Sequence, residues 1–214
     1  MDIFVTGGTG YIGRPLIVEL LRKGHRVRAL FRPGSEEKLP SGVTGVAGDA
    51  LDASSFASEI PPAQTLVHLI GTPHPHPGKA RQFLDVDLVS IQAAVDAAVA
   101  ASIRHFIYVS VAQPAPVMRA YIEVRARGEA LLCSGGLNAT ILRPWYVLGP
   151  GHRWPYALLP VYALLRRIPA TRDTALRLGL VTLADMMAAL IRAVDRQPAG
   201  IRVVEVPEIE HPGA

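Results

Sequence analysis

Residues 6–13 read Thr6-Gly7-Gly8-Thr9-Gly10-Tyr11-Ile12-Gly13, and they separate two segments of different periodicity. Upstream, Asp2 to Thr6 is a short apolar run. Downstream, Ile12, Leu16, Leu20 and Leu21 recur at helical spacing as far as Arg22. Gly24 closes that helix, and from Arg26 to Phe31 the alternation of Val27 and Ala29 with Arg28 reads as a second strand. About thirty residues thus form a βαβ unit, whose strands run parallel with a right-handed crossover. In that setting the glycine spacing carries chemistry. The free N–H groups and partial positive charge of a helix start attract a diphosphate, and Gly7, Gly10 and Gly13 let the backbone come close to it. The stretch Thr6 to Gly13, including Gly8, Thr9, Tyr11 and Ile12, is therefore expected to bind a dinucleotide.

The alternation continues along the chain. Val43 to Ala47 reads as a strand, Ala53 to Glu59 as a short helix and Thr65 to Ile70 as a strand, each bounded by Gly, Pro or Asp. Ala80 to Ser102 follows as a long helix, then a strand from Arg104 to Ser110 and a helix from Met118 to Ser134, stopped by Gly135-Gly136. Asn138 to Leu142 is the next strand. A helix from Leu183 to Val194 and a strand from Ile201 to Val206 close the pattern, and the tail from Glu208 to Ala214 reads as loose. The fold class is α/β, a Rossmann-type, doubly wound parallel sheet with helices on both faces. With 214 residues, 1–214 is expected to be a single domain. Segment 145–180, punctuated by Gly and Pro and carrying both tryptophans, is its variable substrate-side cap.

Half the residues are hydrophobic and 19% charged, which supports a large core and excludes a disordered chain. The net charge is +4, but the basic residues are interleaved with acids, so no nucleic-acid partner is expected. Cys133 is the only cysteine, and the N-terminal residues lack a signal-peptide layout, which predicts a cytoplasmic protein. The apolar stretch Trp154 to Leu165 is too short to span a bilayer. Because it ends in Arg166-Arg167, peripheral membrane contact is a further expectation. His74 and His76 share a loop without carboxylate or cysteine neighbours, so no metal site is expected.

The pattern Thr-Gly-x-x-Gly-x-x-Gly resembles the short-chain dehydrogenase/reductase superfamily in its extended and atypical branches. With Gly24-His25-Arg26-Val27-Arg28-Ala29-Leu30-Phe31-Arg32, Gly48-Asp49, Tyr108-Val109-Ser110, Gly128-Glu129 and Thr140-Ile141-Leu142-Arg143-Pro144, the chain is similar to the NmrA-like and complex I accessory-subunit-like group. The resemblance implies a nicotinamide dinucleotide. It also implies that Asp49 and Ala50 meet the adenine, that Ile70, Gly71 and Thr72 line the ribose edge, and that Pro144 and Trp145 turn over the nicotinamide end.

The second strand ends in Phe31, where an acidic residue would select NAD(H), and the adjacent Arg32 offers forked donors to a 2′-phosphate. NADP(H) is therefore favoured over NAD(H), with Arg14 as the candidate helper. In the family, hydride transfer uses Tyr-x-x-x-Lys on one helix with a Ser or Thr from the preceding strand. Here Tyr121 matches the tyrosine, Arg125 stands in place of lysine, and Ser110 is the candidate third member. Trp145, Tyr146, His152 and Trp154 would give aromatic walls to an unidentified small-molecule substrate. Three functions follow: an NADP(H)-dependent oxidoreductase on a small apolar carbonyl or quinone-like substrate, a non-catalytic NADP(H) sensor or scaffold, and a respiratory-chain-associated assembly factor. The protein would be a monomer or homodimer.

Overall fold

A computed structural model describes residues 1–150 and 157–211. Strand β1 (Asp2–Thr6) leads through the glycine turn into α1 (Gly13–Arg22), which buries Leu16 and Leu20 from the spacing read in the sequence together with Ile17, while Ile12 and Leu21 are half-buried. Strands β2 (Arg26–Phe31), β3 (Thr44–Ala47) and β4 (Thr65–His68) follow. The helical stretch after β4 has four parts: a 3-10 turn (Pro77–Lys79), α2 (Ala80–Gln82), a π-helical turn (Phe83–Leu88) and α3 (Val89–Ala100). Then come β5 (His105–Val109), α4 (Arg119–Ser134), β6 (Ala139–Arg143), β7 (Tyr146–Leu148), α5 (Leu159–Leu165) and α6 (Pro169–Arg177). The described chain closes with β8 (Leu180–Thr182), α7 (Leu183–Asp195), β9 (Ile201–Glu205) and α8 (Val206–Glu210).

The main sheet has seven strands in the order β3-β2-β1-β4-β5-β6-β9, and every pairing is parallel. The chain reverses direction across the sheet between β1 and β4. In an open α/β sheet that switch leaves a crevice at the strands' carboxyl ends, where ligands sit. One core packs α1 and α7 on one face, through Leu16, Ile17, Met186 and Leu190. A second packs α3 and α4 on the other, through Ile91, Ala94, Ala98 and Leu132. Helices thus cover both faces, as the alternating pattern requires.

Three local expectations are corrected. Residues 53–59 form two separate 3-10 turns, because the Asp52 carboxylate accepts from Ser54 N and draws the backbone into a tight turn. The tail is not loose at 208–210. Ile209 is buried in α8, and Glu210 accepts from Arg166 at 3.0 Å, so the segment is held against the cap. The cap also contains a small parallel pair, β7 with β8, which three-residue strands leave too little periodicity to reveal.

Candidate functional site

The glycine turn is built for close backbone approach. A Cβ on Gly13 would lie 2.2 Å from Gly7 O and 2.8 Å from Gly8 Cα, so any larger residue would force the turn apart. Gly7 has φ +79°, and its would-be Cβ meets the backbone of Leu69 at 3.0 Å, beside the end of β4. The turn is held by Gly10 N donating to Gly7 O at 3.0 Å and Arg14 N to Gly10 O at 3.1 Å. Helix α1 has no side-chain cap and no acidic residue in its first turn, so no carboxylate competes for its N–H groups. A cradle that Cβ atoms would fill, at an uncapped helix start on the β1/β4 switch, fits a dinucleotide diphosphate.

Thr6 turns its side chain inward, where its hydroxyl is hydrogen-bonded to His68 Nδ1 at 2.8 Å. Thr9, Gly10, Tyr11 and Arg14 border an open cleft of about 730 Å³ that Pro40 and Leu183 also line. At the far end of the crevice Arg32 follows β2 and is exposed, in no ion pair among the described residues. Asp49, just past β3, is exposed as well, and its Oδ1 accepts from Leu51 N at 3.0 Å, closing the turn around Ala50.

The catalytic candidates divide into two groups. Tyr121 and Arg125 lie one turn apart on α4, and the Arg125 guanidinium carbon sits 5.1 Å from the centre of the Tyr121 ring. The same carbon is 5.8 Å from the centre of the buried Tyr108 ring. Arg125 is only 4% exposed. Its Nη2 donates to Asp87 Oδ1 at 2.6 Å, while Nη1 donates to Val109 O at 3.1 Å and Ile70 O at 3.3 Å. Burial works against the charge, yet Tyr121, Tyr108 and Asp87 together raise the guanidinium pKa above its ordinary value. A Cβ on Gly71 would meet Arg125 Nη2 at 2.1 Å, so the glycine at the end of the β4 segment is what admits the guanidinium.

Asp87 escaped the sequence reading. It is fully buried, and its Oδ2 accepts from Thr72 N at 3.0 Å and from the Thr72 hydroxyl, so one carboxylate ties Arg125 to the loop after β4. Asp85 and Asp87 look alike in sequence, but Asp85 is exposed and pairs with Arg81, whereas the π turn carries Asp87 inside. A 3.6-residue periodicity gives no signal for that difference. Thr72 is consequently buried and engaged with Asp87, and Ile70 and Gly71 are half-buried beside it.

Ser110 belongs to a second network. Its hydroxyl donates to Glu129 Oε1 at 2.6 Å, and the same oxygen accepts from Gln113 at 2.9 Å and from Arg143 Nε at 3.0 Å. Arg143 reaches on to Glu205 at 2.9 Å, joining β6 to β9. Gly128, next to Glu129, lets α4 press on β5: a Cβ there would lie 2.7 Å from the Tyr108 hydroxyl. Pro144 is buried and Trp145 half-buried directly after β6, while His152 and Trp154 lie outside the described residues. Buried His68 has its pKa lowered to about 3, first by desolvation and then by the Arg125 charge, so it remains neutral beside the site. Among the described residues no group of His, Cys, Asp and Glu is arranged to hold a metal ion.

A family model described as NAD(P)H-binding matches residues 7–156, more than half of the chain and all of the crevice from the glycine turn to β7. The chain belongs to this NAD(P)H-binding family. Ceramide reductase of Caulobacter vibrioides is 28% identical over 99% of this chain and 66% of its own length. The photosystem II assembly factor Ycf39 of Cyanophora paradoxa is 31% identical over 67% of this chain and 44% of its own. The chain therefore spans between about two fifths and two thirds of these relatives. The crystal structure of the Bordetella bronchiseptica enzyme WbmH with NAD+ superposes with a TM-score of 0.70 over 95% of this chain and 75% of that one, at 21% identity. That likeness establishes the Rossmann-type α/β fold.

Proposed function

We propose that the protein is an oxidoreductase that uses NADP(H) on an apolar carbonyl or quinone-like group, with Tyr121 as its acid/base. The observation that carries this reading is the Tyr121 ring lying 5.1 Å from the buried Arg125 guanidinium. The cation thus stands one helical turn from the phenol, the place that lysine takes in the Tyr-x-x-x-Lys pair. The dinucleotide, held by the backbone of residues 6–13, supplies or accepts hydride. Arg125 acts as a fixed charge, since Asp87 and two carbonyls already engage its donors. Ser110, whose proton goes to Glu129, takes the third place as a hydrogen-bond acceptor.

Arg32, in no ion pair among the described residues at the end of β2, supports selection of a 2′-phosphate, with Arg14 as helper. Asp49 and Ala50 are assigned to the adenine, Ile70 to Thr72 to the ribose edge, and Pro144 and Trp145 to the nicotinamide end. A long-chain apolar substrate agrees with a relative that acts on ceramide. The reading places the enzyme in the cytoplasm as a monomer or homodimer. Its test is NADPH oxidation with a panel of quinones, ketones and ceramide-like carbonyls. Turnover should fall about a hundredfold or more in Tyr121→Phe with NADPH affinity unchanged. Binding of nucleotide without turnover of any panel member would sink it.

The tie between Arg125 and Asp87 favours a second reading, a non-catalytic NADP(H) sensor or assembly factor in which occupancy changes a partner surface. The assembly factor among the relatives supports it. Identical partner capture with and without NADPH would count against it.

A further inference from the structure

We propose that the outward stripe of α5 docks on the surface of an anionic lipid bilayer. The helix reads Leu-Pro-Val-Tyr-Ala-Leu-Leu and has no charged residue on any side. A helix apolar all round needs cover all round. Among the described residues it has cover on one side only. Leu158, Tyr162 and Leu165 are half-buried, Tyr162 is hydrogen-bonded to Trp145, and Arg166 fixes the helix end to Glu210 of α8 at 3.0 Å. The opposite side presents Pro160, Val161 and Leu164, which share a face at i, i+1 and i+4. Val161 is 50% and Leu164 60% exposed, and Leu159 and Ile168 at the two ends are 43% and 41% exposed. Contiguous exposed aliphatic side chains of this kind mark an interaction surface, whereas scattered single ones do not.

Charge identifies the occupant. From 157 to 178 the sequence has four arginines and one acid, Asp173. Arg166 is spent on Glu210, but Arg167 and Arg172 are exposed and in no ion pair among the described residues. An apolar stripe followed in the chain by arginines in no ion pair among the described residues is the pattern of a segment that lies in the bilayer interface, with aliphatic side chains among the acyl chains and guanidinium groups at anionic headgroups. No helix of the described residues is long and apolar enough to cross the membrane, so the contact is a surface one. A second copy fits less well. A two-fold contact through this stripe would bring Arg167 and Arg172 toward their own counterparts, over a patch of a few side chains where stable interfaces bury roughly 1,200 Å² or more. Through Tyr162 and Trp145 the covered side of α5 adjoins the end of β6, so, on the function proposed above, docking would place an apolar substrate's source next to the site.

The test is flotation of the purified chain with vesicles of phosphatidylcholine alone and of phosphatidylcholine mixed with phosphatidylglycerol, needing no turnover. The wild type should float with the anionic vesicles. Val161→Asp/Leu164→Asp and, separately, Arg167→Glu/Arg172→Glu should each reduce the bound fraction about tenfold while NADPH binding and the melting temperature hold. Both pairs are exposed, so neither change disturbs the core. The proposal is overturned by a wild type that stays with the unbound fraction. It is equally overturned by variants that float as well as the wild type, or by a concentration-dependent dimer that Val161→Asp/Leu164→Asp abolishes. Loss of catalysis with flotation intact would remove the enzymatic reading and leave the docking surface standing.

Discussion

The Asp87 carboxylate accepts from Arg125 at 2.6 Å through one oxygen and from Thr72 through the other, so a single buried acid couples helix α4 to the loop that follows β4. The pair is almost completely withdrawn from water, with the side chain of Arg125 5% exposed and that of Asp87 not at all. A buried ion pair is a poor source of net stability, but breaking one half leaves a charge without a partner.

Asp87→Asn should therefore lower unfolding stability by about 3–5 kcal/mol, whereas the double change Asp87→Asn/Arg125→Met should cost much less than the sum of the single ones. Urea unfolding of the three variants checks this. A single-variant loss below about 1 kcal/mol would mean that water or a shifted side chain satisfies Arg125 once Asp87 is gone.

Gly13→Ala places a methyl where Gly7 O now lies at 2.2 Å, a contact with backbone that cannot rotate away. The turn must open, so dinucleotide affinity should fall at least tenfold and stability by about 1–3 kcal/mol. Calorimetric titration with NADPH, beside a melting curve, reports both. Gly24→Ala is the contrasting case. Nothing lies within 4 Å of its would-be Cβ, but φ is +80°, so a modest stability loss with unchanged nucleotide binding is expected.

Arg32→Ala should weaken NADPH by roughly 1.5–3 kcal/mol, the worth of a hydrogen bond to a charged group, and leave NADH unchanged. Titration of both nucleotides against both proteins decides it. A wild type that prefers NADH would remove the assignment of Arg32.

Stability should fall in acid partly through two buried histidines. Desolvation lowers His68 to about 3, helped by the Arg125 charge, and His105 to about 4. Both therefore stay neutral in the fold while the unfolded chain takes up protons below about pH 6.5. Their contribution is complete above that pH and is lost as pH falls toward the folded values, with a slope of up to ~1.4 kcal/mol per pH unit for each histidine. His105→Gln should flatten the stability profile between about pH 6 and pH 4.5. An unchanged slope would show that His105 is protonated in the folded state.

Much of this architecture is legible in the chain itself. The apolar run before Gly7, the helical spacing after Gly13 and the repeat of strand and helix identify a parallel sheet, because covalent geometry allows few other ways to bury those faces. The crevice is legible too, since a glycine is required wherever a Cβ would strike backbone. Less visible were Asp87, whose burial depends on a π turn that shifts the helical phase, and the ordered α8, whose anchor Arg166 lies 44 residues upstream of Glu210. The pairing of Tyr121 with Arg125 was implied by the resemblance to the family's Tyr-x-x-x-Lys pair. That Arg125 faces inward, sharing Asp87 with Thr72, was not.

Local sequence determined the sheet, the glycine cradle and the helix bearing Tyr121, because those properties rest on contacts among neighbours in the chain and on periodicities of two and 3.6 residues. Tertiary packing alone decided which charges are buried, which partner each receives and which apolar face of the cap is left in water. Such outcomes depend on desolvation by distant segments, and desolvation is a property of the assembled fold rather than of any stretch within it.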